Sequence, residues 1–318
     1  MGGRAKPLLS SRPLAPVRHR VLNLNGGSRV VLSFPPPLVI DYPNIDPVLV
    51  EIGPFPIRWY ALAYFFGILQ AYFYARALVG RLRAPISRQH LDDFILWATL
   101  GIVAGGRLGY VLFYNPGRFL AEPLSIFALW DGGMSFHGGL TGVIVAAILF
   151  TRANGIPPMR FGDMLACTAP IGLLLGRLAN FINGELWGRP TDVPWAMVFP
   201  ADPLQVPRHP SQLYEAALEG VALFALVNVL AYTTRLGQRR PGVLTGVFLA
   251  GYGAARFAVE YVRSPDPQLE GLARSFLSMG QLLSLPMILA GAAIIVWAWR
   301  RAPQPEPRDR ATPRQGAA

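Results

Sequence analysis

Arg177, Asn180, Asn183, Glu185 and Gly188 fall within one short run, GRLANFINGELWGRP at residues 176–190. Residues three apart on a helix share a face, so Arg177 and Asn180 point the same way. A fork of guanidinium donors beside two carboxamides suits the charged oxygens of a phosphate. Asn183, Glu185 and Gly188 follow where the helix should unwind, and Trp187 stands where an interfacial aromatic belongs. Tyr252, Arg256 and Glu260 recur at spacings of four, again on one helix face. Two readings of this triplet stand. Arg256 and Glu260 neutralise each other, or Arg256 faces a lipid phosphate and Glu260 holds it in place. His137 lies in WDGGMSFHGG, residues 130–139, where flanking glycines permit close backbone approach. A lone histidine is more often structural. Its setting among arginines and glycine-rich turns favours chemistry instead, with a neutral imidazole as general base.

Other chemistries lack their residues. There is no GxSxG elbow, no Walker loop and no cluster with metal-ligand spacing. Cys167 is the one cysteine, so an internal disulfide and a cysteine-based metal cage are both excluded. It lies deep in an apolar run and reads as a small buried hydrophobe.

The elements that must position these residues are membrane spans. Charged residues make up 15% of the 318 residues and apolar ones 52%, against about 25% charged in an ordinary soluble domain. Apolar runs near the membrane-crossing length of about 20 residues occupy 59–79, 94–113, 134–150, 164–182, 213–232, 243–262 and 279–299. The fold class expected is all-α: a polytopic integral membrane protein of about seven transmembrane helices, with a small periplasmic head formed by outer loops. The net charge of +11 does not indicate nucleic acid, because the basic residues flank the spans and form no stripe. Glycines four apart (Gly101, Gly105 and Gly109; Gly138 and Gly142; Gly172 and Gly176; Gly242 and Gly246) read as close helix packing. The two halves show no repeat, which disfavours an inverted-repeat transporter.

Orientation follows from arginine in the loops. Arg81, Arg83 and Arg88, then Arg152 and Arg160, then Arg235, Arg239 and Arg240, and finally the tail, mark one side as cytoplasmic. The other side carries Arg118, Arg189, Arg208, Arg263 and Arg274. This puts the stretch before the first span in the periplasm, the C-terminus in the cytoplasm and the polar stretches 184–211 and 263–278 outside. Chemistry is therefore expected at the periplasmic side. Residues 1–40 are rich in Pro, Gly, Ser and Arg and read as a disordered extension or a misassigned start. Residues 41–302 read as the membrane domain and 303–318 as a disordered cytoplasmic tail. Ionisable residues inside spans are costly and usually functional. The inner halves of the spans read as apolar apart from Glu215, Glu219 and Arg107. A transporter needs polar residues through the whole depth, and a lipid-binding scaffold would not need His137.

The chain resembles the bacterial prolipoprotein diacylglyceryl transferases from about Tyr42 to about Pro303. The resemblance is carried by IRWYALAY from Ile57, GGRLGYVLFYNP from Gly105, WDGGMSFHGG from Trp130, GRLANFINGELWGR from Gly176 and RHPSQLYEAALEG from Arg208. GYGAARFAVEYVRSPD from Gly251 and SMGQLLSLPM from Ser278 add to it. It implies a bacterial inner-membrane enzyme that moves the diacylglyceryl group of phosphatidylglycerol to the lipobox cysteine of a preprolipoprotein signal peptide. A thioether forms, glycerol phosphate leaves, and no metal or diffusible cofactor takes part. It also implies catalytic roles for Tyr60, His137, Arg177 and Arg256. The headgroup would be held by Arg177, Asn180, Glu185, Gly188 and Glu260, with Tyr252 added from its shared face. One departure is the loop between Phe199 and Arg208, which is shorter than in some members and bears on which signal peptides are admitted.

Overall fold

Each of the seven apolar runs forms a helix in the computed structural model, which describes residues 19–23, 29–33, 39–80, 82, 85–114, 116–264 and 277–303. Strands β1 (His19–Asn23) and β2 (Arg29–Ser33) pair antiparallel. The rest of residues 1–38, and the tail from 304, lie outside the described residues. A second hairpin, β3 (Val48–Ile52) and β4 (Phe55–Arg58), turns at Gly53 (φ 58°) and leads directly into α1 (Trp59–Leu78). Then come α2 (Arg88–Phe113), a short α3 (Pro116–Ala121), 3-10 turns over Pro123–Phe127 and Leu129–Asp131, α4 (Phe136–Ala153) and α5 (Pro158–Ile182). One continuous rod spans Ser211–Thr233: α6 (Ser211–Glu215), a π-helical segment (Ala216–Ala222) and α7 (Leu223–Thr233). The short α8 (Leu236–Arg239), α9 (Val243–Val259) and α10 (Met279–Arg300) complete the chain.

Among the described residues five helices are long and apolar enough to cross a membrane: α2, α4, α5, the Ser211–Thr233 rod and α10. Helix α9 is apolar but has 17 residues. Helix α1 has 20, and its hydropathy is diluted by Tyr60, Tyr64, Gln70, Tyr72, Tyr74 and Arg76. The predicted second span begins six residues late. Ser87 and His90 form a reciprocal capping box that starts α2 ahead of its apolar run. That reciprocal pairing satisfies N–H groups that a helix start otherwise leaves without partners.

The apolar side chains follow membrane logic. Leu289, Phe65, Ile68 and Leu100 are each more than half exposed, a pattern that a water-soluble domain avoids and lipid accepts. The buried core joins Leu78, Phe94, Phe150, Phe161, Met164, Val227 and Leu244. Cys167 is fully buried among them, as the sequence led one to expect. Small residues set the closest helix approaches. A Cβ on Gly142 would run into the Gly101 carbonyl of α2, and one on Gly105 into the Gly138 carbonyl of α4. Gly246 of α9 and Gly291 of α10 are in the same position, a Cβ on Gly246 falling 2.7 Å from the Gly291 carbonyl.

The chain divides into two compact units, Met1–Pro43 with Arg189–His209, and Asn44–Gly188 with Pro210–Ala318. In the smaller unit Ile40 bridges Met197, Met197 bridges Arg208, and the Tyr42 ring meets Phe199 at 5.2 Å. The loop between Phe199 and Arg208 folds around Asp202. Arg208 donates to both carboxylate oxygens at 2.6 and 2.9 Å, and the Leu204 and Val206 N–H groups donate as well. Burial alone would raise the Asp202 carboxyl, but Arg208 and the two N–H groups outweigh it and hold the group below the usual carboxylate range.

Two predictions follow from this packing. Gly142→Leu forces α2 and α4 apart, and overpacking of this kind costs about 1–3 kcal/mol. Its thermal midpoint in detergent should fall by several degrees. Gly172→Ala, whose Cβ meets nothing within 4 Å, should leave the midpoint unchanged or higher; equal losses would show that the close approach is unimportant. The second concerns pH. A carboxyl depressed in the folded state stabilises fully above its unfolded pKa of about 3.9, and that contribution disappears as pH falls through the folded value. The midpoint gap between the native protein and Asp202→Asn should therefore be constant from pH 7 to about pH 4 and close below it.

Candidate active site

Helix α5 delivers Arg177 and Asn180, and the way it ends brings Glu185 back to them. Asn183 closes the helix, donating its N–H to the Ala179 and Phe181 carbonyls. Gly184 then takes φ 64° and Leu186 φ 58°. The first is easy for glycine, whereas the second is strained for leucine at about 1–3 kcal/mol. Ser211 Oγ holds the turn by donating to the Leu186 carbonyl at 3.0 Å, and Gln212 Nε2 donates to that of Glu185 at 2.6 Å. The result is a carboxylate held by two carboxamides: Asn180 Nδ2 donates to Glu185 Oε1 at 2.9 Å and Asn183 Nδ2 at 3.2 Å. Gly188 forms an antiparallel bridge with Arg263, so its role here is carried by backbone.

Arg177 faces the rod rather than Asn180. Its Nε lies 2.9 Å from Glu215 Oε2, an ion pair off the hydrogen-bond axis, and donates to Glu219 Oε2 at 3.4 Å. Nη2 donates to the same Glu219 oxygen at 3.3 Å. Close approach of the rod depends on Gly220, where a Cβ would fall 2.8 Å from that of Leu174 on α5. The π-helical winding, common at functional sites, carries Glu219. From α9, Arg256 Nη1 donates to Glu215 Oε1 at 3.0 Å and Nη2 meets Glu260 Oε2 at 2.8 Å. Arg263 Nε lies 3.5 Å from Glu215 Oε1. Glu215 thus has three arginine partners, and three guanidinium groups face three carboxylates. Gly280 of α10 packs flat against the Glu260 carboxylate.

The two arginines are held differently. Arg256 makes short contacts to two carboxylates. Arg177 makes one short contact, to Glu215, and long ones to Glu219, its side chain is 20% exposed against 15% for Arg256, and its Nη1 has no partner among the described residues. Tyr252 lies in the electrostatic field of Glu219, Arg177, Arg256 and Glu215. Tyr60, at the start of α1, feels Glu185 and Arg177 and places its hydroxyl 3.3 Å from that of Tyr64.

His137 stands apart from this cluster. It is exposed on the first turn of α4, which Ser135 caps through the Gly138 N–H, and its ring meets Phe136. No side chain of the arginine–carboxylate cluster is among its contacts in the described residues. Among the described residues Arg107 is not paired with an acid, and it is not turned toward the cluster. Its guanidinium donates to the carbonyls of Ser125, Ile126, Ala128, Gly132 and Gly133 and lies over the Phe119 ring. It therefore shapes the segment that leads to His137. The sequence reading that set Glu215 and Glu219 in the inner halves of the spans is corrected. Both sit at the same end as Arg177 and Arg256. The signal was present, since Glu215 is two residues beyond the start of its apolar run. Arg263, read as a loop charge, was not anticipated as a partner of Glu215.

Comparison with known proteins gives a consistent match. The sequence profile of the family described as prolipoprotein diacylglyceryl transferase matches residues 47–297. A phosphatidylglycerol–prolipoprotein diacylglyceryl transferase of Bradyrhizobium diazoefficiens is 57% identical over 279 residues, covering 85% of this chain and 98% of that protein. One from Rhodospirillum rubrum is 57% identical over 274 residues with the same coverage. One from Agrobacterium fabrum is 52% identical over 270 residues, covering 83% and 94%.

Removing one partner of a buried ion pair costs about 3–5 kcal/mol, because the other charge is left uncompensated. Glu215→Ala leaves three arginines short of a partner and should abolish accumulation or lower the thermal midpoint sharply. Glu219→Gln, which loosens a single arginine, should cost clearly less. Comparable losses in the two variants would show that Glu215 is not the shared anchor.

Proposed function

The chain belongs to the prolipoprotein diacylglyceryl transferase family, and from that premise we propose that it transfers the diacylglyceryl group of phosphatidylglycerol to the lipobox cysteine of preprolipoproteins. The thiol sulfur attacks the glycerol carbon that carries the phosphate, a carbon–sulfur bond forms, and the carbon–oxygen bond to phosphate breaks. Glycerol phosphate departs, and the thiol proton passes to a base. This reaction opens lipoprotein maturation and takes place in the bacterial inner membrane. All seven long helices cross it, with the N-terminal side and the cluster at the periplasmic face and the tail in the cytoplasm, as the arginine asymmetry of the loops supports.

One observation carries the assignment of roles: Arg177 has a spare Nη1 donor, while both terminal nitrogens of Arg256 lie against carboxylates, at 3.0 Å from Glu215 and 2.8 Å from Glu260. Arg177 receives the lipid phosphate and stabilises the charge that grows on it as the bond breaks. Such stabilisation is usually the largest catalytic contribution. Arg256 completes the positive side of the site and keeps Glu215 and Glu260 in register. Asn180 and Glu185 fix the headgroup, Gly188 holds the turn beside it through its bridge to Arg263, and Tyr60 and Tyr252 border it. His137 is the base for the incoming thiol, and its exposure at the start of α4 suits a group that meets a second substrate. The nucleophile belongs to the substrate, which agrees with a buried, unreactive Cys167.

Purified protein in phosphatidylglycerol vesicles should add one diacylglyceryl mass to a lipobox peptide. Arg177→Lys should lose most of the rate yet keep its thermal midpoint, since lysine keeps the charge and loses the fork. Arg256→Lys should lose both. His137→Gln should be slow at neutral pH and recover part of the gap as pH nears the free thiol value of about 8.5. A gap constant with pH would remove the base assignment and leave the reaction standing. No mass gain by the native protein would overturn the function itself.

A further inference from the structure

At its other end the helix bundle holds a second basic site. A cavity of about 170 Å³ opens between the first turn of α5, the residues joining α8 to α9, and the last turn of α10. Arg239, Arg240, Arg301, Trp297 and Met159 line it, and no acidic residue does among the described residues. Its walls are built. Asp163 accepts hydrogen bonds from the Gly242 N–H, the Thr245 N–H and the Thr245 hydroxyl, each at 2.8 Å, and Arg160 Nη2 donates to the Gln238 carbonyl at 2.9 Å. These bonds tie the α8–α9 connection to α5. Gly242, at φ 101°, lets Met159 and Trp297 close in, each within 3.5 Å of where its Cβ would be.

The arginines divide by task. Arg240 donates to the carbonyls of Ala298 and Arg301 at 3.2 and 3.0 Å, closing the end of α10, and lies 4.5 Å above the Trp299 ring. Arg301 lies 3.9 Å above the Trp297 ring. A guanidinium stacked in this way keeps its N–H edge free for an anion. The Arg301 and Arg239 guanidinium groups have no hydrogen-bond partner among the described residues. Asp163, the nearby carboxylate of α5, is occupied by α9. The cavity thus presents donors and positive charge with no counter-ion among the described residues, beside two tryptophans of the kind that sit at membrane interfaces.

Its distance from the first site matters. Pro158 and Arg177 are 19 residues apart on α5, about 28 Å at 1.5 Å per residue, close to the thickness of the hydrocarbon core. One lipid therefore cannot reach both. Basic pockets between helices at the cytoplasmic face are suited to anionic headgroups.

We propose that this cavity binds a phosphate group, as the headgroup of an anionic phospholipid of the opposite leaflet or as free phosphate. The test compares the native protein with Arg239→Gln/Arg301→Gln and with Ala302→Glu, which sets a carboxylate into the cavity rim without removing an arginine. Each is reconstituted in phosphatidylcholine containing phosphatidylglycerol, and retained lipids are counted by native mass spectrometry. Each is also placed in pure phosphatidylcholine with radiolabelled inorganic phosphate. The native protein should hold one more phosphatidylglycerol than either variant, with affinity at that site reduced about tenfold or more by loss of charge-assisted hydrogen bonds. Phosphate bound by the native protein alone, with no lipid difference, would identify free phosphate as the ligand. Equal retention of both probes by all three proteins would overturn the proposal.

Discussion

A single carboxylate, Glu215, joins three arginines that arrive from different parts of the chain. It reaches Arg177 on α5, Arg256 on α9 and Arg263 beyond α9, and its side chain is 1% exposed. An isolated carboxylate in so apolar a bundle would not stay ionised, and three isolated guanidinium groups would be worse. Together they are tolerable, which makes the packing of α5, the rod and α9 conditional on this contact. The turn at 183–188 and the bridge from Gly188 to Arg263 follow from it. Once the rod is fixed against α5, Ser211 and Gln212 are in place to hold the strained backbone at Leu186.

The two ends of the bundle use charge in opposite ways. Around Glu215 three guanidinium groups meet three carboxylates, so the cluster can be assembled without net charge. In the proposed reaction a phosphate arriving there would be recognised by donor geometry at Arg177 rather than by an excess of positive charge. At the far end Arg239, Arg240 and Arg301 line a cavity with no carboxylate among the described residues, and an anion there would be drawn by charge from the start. The difference explains why a lysine should serve poorly at Arg177.

Much of this was legible in the residues. The spans were readable because membrane helices must be continuously apolar, and the structure moves their ends by a few residues, as where Ser87 and His90 start α2 early and where α5 begins at Pro158. The grouping of Asn180 and Asn183 with Glu185 was within reach because the three are close in sequence, whereas Arg177, read as sharing a face with Asn180, turns to Glu215 and Glu219. Contacts between distant helices were not readable. Nothing local ties Glu215 to Arg263, and helical spacing paired Arg256 with Glu260 without revealing its second partner. Cys167 was placed correctly by its apolar neighbours. Arg107 was recognised as unusual but not explained, because its partners are carbonyl groups, and every residue has one.

That arrangement gives the segment before α4 an unusual polarity. An ordinary surface loop turns its carbonyl groups to water and its apolar side chains inward. Here five carbonyls converge on a cation tethered to α2, while Leu120, Leu124, Phe127 and Trp130 are each more than 70% exposed. The segment is inside out. Irregular backbone is normally barred from hydrocarbon because its polar groups go unsatisfied there. With Arg107 standing in for the missing solvent, this stretch can rest against acyl chains as a helix would, and the glycine-flanked approach to His137 can be built without a layer of water beneath it.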